Sequence, residues 1–94
     1  MTHYGQLFHT YTVVAHPRVS KALKCITSSG IKERILEAIE DLKYFPLSLI
    51  KYDVEKIKGS KINPLFRIRI GRYRIVFHIN KAERTAYVID IFMK

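Results

Sequence analysis

Leu65-Phe66-Arg67-Ile68-Arg69-Ile70-Gly71-Arg72-Tyr73-Arg74-Ile75-Val76-Phe77-His78-Ile79 is the stretch on which the fold turns. Its period is two. Phe66, Ile68 and Ile70 alternate with Arg67 and Arg69, and Tyr73, Ile75, Phe77 and Ile79 alternate with Arg74, Val76 and His78. Such alternation marks half-buried strands. Gly71-Arg72 supplies the glycine of a two-residue hairpin turn. With that pair as the loop, Ile70 faces Tyr73, Arg69 faces Arg74, Ile68 faces Ile75, Arg67 faces Val76 and Phe66 faces Phe77. The apolar set, Tyr73 included, then lies on one face, which predicts a sheet packed on helices. Arg67, Arg69, Arg74 and His78 emerge on the other.

Upstream the period changes. Tyr11 to Ala15 is a short β-prone run, and His16-Pro17 is a helix start with proline at the first helical position. Val19, Ala22, Leu23 and Ile26 recur at helical spacing with Arg18, Lys21 and Lys24 opposite. Ser28-Ser29-Gly30 breaks that helix, and either serine can cap the next. Ile31, Ile35, Leu36, Ile39 and Leu42 form the second apolar stripe, which Pro46 ends near Tyr44 or Phe45. Leu47 to Pro64 reads as a mostly polar connection with one structured piece, Val54 to Gly59. A last strand, Thr85 to Met93, is expected to place Tyr87, Ile89 and Ile91 on one face. The expected class is α+β, in the order β-α-α-β-β-β, with a mainly antiparallel sheet on an αα-hairpin.

The 94 residues fit one domain, 1–94, with residues 1–9 as a loose lead-in. No apolar run approaches the roughly 20 residues that span a bilayer, so no membrane role is expected. The first twelve residues lack the pattern of a signal peptide. Cys25 is the one cysteine, so no internal disulfide can form, and a cytoplasmic location is expected.

Charge narrows the partner. Seventeen Lys and Arg against eight Asp and Glu give a net of +9, which favours a polyanion. Between Lys56 and Lys81 there is no acidic residue. Lys58, Lys61, Arg72 and His78 therefore join the hairpin arginines as candidate phosphate or RNA contacts.

Directly opposed strand residues hold their β-carbons about 4.5–5.5 Å apart, where like charges destabilise the pair. A phosphate between Arg69 and Arg74 would turn that repulsion into charge-assisted hydrogen bonds, for which arginine forks are well shaped. Other chemistry finds little support. His3, His9 and His16 lack metal-ligand spacing, and a structural zinc site is not expected. No phosphate-cradling glycine loop or nucleophilic serine elbow occurs. Paired carboxylates are not expected beside the basic strands, which leaves any catalysis to basic groups and aromatics, with His78 placed to transfer a proton.

Ile57-Lys58-Gly59 followed by Leu65 to Phe77 resembles the signature of the RelE/ParE toxin superfamily. Lys21 and Leu23 in the first helix and the final apolar strand fit the wider pattern, over about residues 10 to 94. The resemblance implies a RelE-like fold and the toxin of a type II toxin–antitoxin system. It implies a ribosome-dependent endoribonuclease that cuts mRNA in the A site with the substrate's own 2′-hydroxyl, using no metal and no small-molecule cofactor. A RelB-like antitoxin is the implied partner. By motif, Arg67, Arg69 and Arg74 are the implied catalytic cluster. Lys58 takes a basic position before the loop glycine, and Lys94 falls near a residue that can act as general acid. Two departures stand out. Arginine replaces the family's general-base lysine at Arg69, where it suits transition-state stabilisation, and a C-terminal tyrosine has no counterpart. The competing readings are a ParE-like gyrase inhibitor and a non-catalytic or degenerate RNA-binding relative.

Overall fold

The structure, a computed structural model, describes residues 10–59 and 61–94; the expected lead-in, residues 1–9, lies outside them. Strand β1 (Thr12–Ala15) runs straight into helix α1 (Pro17–Lys24). Proline at the first helical position has no N–H to leave unpaired, and His16 Nδ1 accepts the Arg18 N–H at 3.1 Å as the N-cap. Ser28 caps helix α2 (Ser29–Asp41), its Oγ accepting the Ile31 N–H at 3.4 Å.

The α2 stripe differs from expectation by one position. Ile35 and Ala38 are buried, with Leu42 just beyond the helix, whereas Leu36 is exposed. Ile31, Ile35, Ala38 and Leu42 keep the strict i, i+4, i+7 track of one helix face, and Leu36 lies off it. The α-helix ends at Asp41, and 3₁₀ turns at Leu42–Tyr44 and Leu47–Lys51 carry the chain past Pro46.

Strands β2 (Asp53–Gly59), β3 (Pro64–Ile70), β4 (Tyr73–Asn80) and β5 (Thr85–Met93) follow. Among the described residues, five strands form one sheet in the order β1-β5-β4-β3-β2. The β1–β5 pair is parallel and the others antiparallel. The α+β class is as expected, but β2 is a strand more than the sequence suggested. It pairs with β3 from the sheet edge, and its mostly exposed, charged side chains carry no apolar alternation to read.

The β3–β4 register is the one derived from the turn, pair for pair. Gly71 takes φ +58°, the left-handed conformation that such a turn requires and glycine adopts without strain. In β5 the register slips: Val76 pairs with Asp90 but Phe77 with Val88, so Ile89 is bulged out. The extra residue reverses the parity. Ala86, Val88 and Ile91 face the core, and Tyr87 does not.

Ile68, Ile75, Phe77 and Ile79 are fully buried against Val19, Ile35, Ala38 and Leu42. Each large side chain removed from water there contributes about 1.5–3 kcal/mol. Rings from Tyr11, Phe45, Phe66 and Phe77 continue the core, with successive centroids 5.3, 5.8 and 5.2 Å apart. All of this lies on one face. The other face carries the arginines.

Candidate nucleic-acid interface

The strand register arranges the open face in three rows. The first is Asp53, Arg69, Arg74 and Phe92; the second is Glu55, Arg67, Val76 and Asp90. The third crosses all five strands as Lys58, Leu65, His78, Tyr87 and Val14. Alternation puts every one of these on the side away from the buried isoleucines.

Rows one and two enclose an open cleft of about 350 Å³, lined by Asp53, Glu55, Arg67, Arg69, Arg74 and Lys94. Four expected site residues, Arg67, Arg69, Arg74 and Lys94, are thus brought together. Lys94 is held there by its backbone N–H, which donates to the Arg72 carbonyl at 2.8 Å. Lys58, Lys61, Arg72 and His78 do not line the cleft. Arg72 sits in the hairpin turn, and exposed Lys61 lies between β2 and β3. His78 lies in the third row with its ring against Tyr87, the centroids 5.9 Å apart and the planes 29° from parallel.

The expected repulsion between Arg69 and Arg74 is relieved from both sides. Arg69 Nη2 pairs with Asp53 Oδ2 at 2.9 Å. Arg74 Nη1 folds back to donate to the carbonyls of Gly71 and Tyr73, at 3.2 and 3.1 Å. Arg67 Nη2 pairs in turn with Glu55 Oε1. The expectation that no paired carboxylates stand beside the basic strands is therefore wrong. Asp53 and Glu55 escaped sequence reasoning because acids face these arginines only once β2 is known to pair with β3. Their two-residue spacing, matching that of Arg67 and Arg69, was the available signal.

Glu55 is held below the usual carboxylate range, first by its hydrogen bond to Arg67 and that residue's charge, with Lys94 and Arg74 adding to the effect. Exposed pairs of this kind contribute little to stability, because water screens them. An incoming phosphate, which accepts from the same forks, can exchange with them cheaply. In the cleft, Arg67 and Arg69 are thus paired with the protein's own carboxylates.

Residues 13–93 match the family model for the ParE toxin of the type II toxin–antitoxin system parDE. The chain is 37% identical over 81 residues to a protein named toxin RelE1 from Methanocaldococcus jannaschii, covering 86% of this chain and 87% of that one. A crystal structure of the archaeal RelE–RelB complex from Pyrococcus horikoshii superposes with a TM-score of 0.80 at 31% identity, over 89% of this chain and 94% of that chain. The RelB–RelE antitoxin–toxin complex from Methanococcus jannaschii gives 0.67 at 28%, over 85% and 88%. With a family model spanning almost the whole chain and a relative above 30% identity at nearly full length, this protein belongs to the RelE/ParE superfamily of type II toxin–antitoxin toxins.

Proposed function

We propose that this toxin is a cytoplasmic endoribonuclease that cuts messenger RNA in the ribosomal A site and is restrained by a RelB-like antitoxin. The observation that supports it most is the meeting of Arg67, Arg69, Arg74 and Lys94 in one cleft. RNA supplies its own nucleophile. The 2′-oxygen attacks the adjacent phosphorus, the bond from phosphorus to the 5′-oxygen breaks, and a 2′,3′-cyclic phosphate remains. The three guanidiniums stabilise the charge that builds on the phosphorane, often the largest catalytic contribution. Lys94 gives a proton to the leaving 5′-oxygen.

The proton from the 2′-hydroxyl needs an acceptor. Arg69 stays protonated and cannot serve. Glu55 can: it lines the cleft as a carboxylate, and a phosphate that takes the Arg67 fork frees it. General-base catalysis of this kind contributes about 10²–10⁴-fold.

In a cell-free translation reaction the protein should block synthesis and leave new mRNA 5′ ends within codons at stalled ribosomes. Cleavage should persist after chelation, with the ribosomes kept intact. The ParE description of the matching family supports a second reading, a gyrase poison that spares RNA. Intact message together with gyrase-linked DNA breaks would decide for it.

A further inference from the structure

We propose that His78 and Tyr87 form a stacking platform for a base of the single-stranded RNA whose phosphate lies on Arg67. This rests on the nuclease reading and extends it from the phosphate to the base. The two rings are cross-strand partners on the open face, nearly parallel, and both half-buried. Tyr87 is pinned, its hydroxyl donating to Glu83 Oε1 at 2.8 Å. A ring fixed in advance loses little freedom when a base settles on it.

Position names the occupant. Leu65 is paired with His78, and Arg67 with Val76 two residues along β4, so Arg67 and His78 are diagonal neighbours on one face. Diagonal neighbours lie roughly 7–8 Å apart. A chain with its phosphate on Arg67 brings an adjacent base within reach of the rings. Unpaired bases splay out and stack on aromatic side chains in this way, with little regard for sequence. At the far end of the same row Lys58 offers a cation, so the row reads as a stacked ring pair followed by a further backbone contact. Leu65 and Val14 are the next residues of the row on either side of the rings. These rings supply aromatic surface on the same face as the arginines.

The test uses the intact protein and a short fluorescent single-stranded RNA, with and without one abasic position, read by anisotropy across a salt series. Tyr87→Leu and His78→Ala should each weaken binding to the full RNA about tenfold while leaving the salt slope unchanged. Tyr87→Phe, which keeps the ring and loses only its hydroxyl bond to Glu83, should bind more tightly than Tyr87→Leu and no better than the parent. Arg67→Ala should weaken binding and flatten the slope, because it removes a phosphate contact. The abasic RNA should bind the parent about tenfold more weakly, and Tyr87→Leu should then add little further loss. Thermal unfolding of each variant separates lost contacts from lost folding, and His78→Ala with the abasic RNA keeps the test open should Tyr87→Leu unfold. If the parent and both ring variants bind the full and abasic RNAs alike while Arg67→Ala still loses affinity, the platform is wrong and the nuclease reading stands. Ring substitutions that spare RNA but weaken a co-expressed antitoxin make this a protein-docking face and overturn the proposal. No RNA binding by the parent, alone or on ribosomes, overturns both readings.

Discussion

Arg69 and Arg74 stand opposite each other across the hairpin, yet each has found a different counter-charge. Arg69 uses a carboxylate on β2, and Arg74 uses the two carbonyls of its own turn. Replacing either with alanine should shift stability by less than about 1 kcal/mol, since exposed pairs are worth no more than that. The same changes should slow cleavage on the order of 10²–10³-fold, as expected when a donor to developing charge is removed. Ile75→Ala should do the reverse. It is fully buried, and its truncation should cost about 2–5 kcal/mol. Denaturant unfolding and single-turnover cleavage on programmed ribosomes measure the two effects. An Arg74→Ala protein that unfolds but cleaves normally in its folded fraction would make that arginine structural. Glu55→Gln separates binding from chemistry. RNA should bind at least as tightly, because a competing anion is gone, while cleavage falls about 10²-fold or more. Unchanged cleavage would remove Glu55 from the mechanism.

Elements were legible where one face met water and the other met the core. The hairpin residues Phe66 to Phe77 satisfy that condition, and their register followed from parity and Gly71 alone. β2 does not satisfy it, because its side chains face solvent almost throughout. With β2 went Asp53 and Glu55, the two carboxylates that line the cleft. The β5 bulge failed for another reason: both Val88 and Ile89 suit a core, and only the pairing with β4 decides between them. What places β2 is a clamp at its entrance. Asp41, at the end of α2, accepts from the Tyr52 hydroxyl at 2.6 Å and from Lys51 Nζ at 2.9 Å. The Tyr52 hydrogen bond, then that of Lys51, holds the Asp41 carboxyl below its ordinary range. A carboxyl depressed in the fold gives stability that is present above its unfolded value and lost as pH falls through the folded one. Asp41→Asn should therefore unfold at lower denaturant than the parent near neutrality. The gap should begin to narrow as pH falls below about 4, the ordinary carboxylate range, and close once pH passes below the depressed value of the folded carboxyl. Glu55, also depressed, is common to both proteins and cancels. Parallel stability curves down to acid would mean that the clamp contributes nothing through its charge.

For the molecule as a whole, net charge pointed to a polyanion and the RelE/ParE pattern to a toxin, and the family matches agree with the second. The long-range topology was harder to read. A parallel partner for β1 leaves no trace in a four-residue strand, because parity and turns report only on neighbours in sequence. Yet Thr12 aligns with Thr85 and Ala15 with Val88, across nearly the full chain.

That pairing sets an order of events in time. The hairpin of β3 and β4 closes over two turn residues, whereas β1 waits until a loop of about 70 residues has been closed, at an entropic cost that grows as the logarithm of length. Contacts so distant in sequence slow folding, and β1, held by such contacts, is expected to open before the hairpin. Two amides can report it. The Thr12 N–H donates to the Arg84 carbonyl and the His16 N–H to the Val88 carbonyl, both at 2.9 Å. In native-state hydrogen exchange these should open at lower free energy than the amides of Ile68 and Ile75 in the hairpin. Release of β1 would expose the edge of β5 and leave it free to pair with another chain. Equal protection at both places would mean that the sheet opens only as a unit. Otherwise this toxin carries, at the seam between its first and last strands, the weakest point through which it can misassemble.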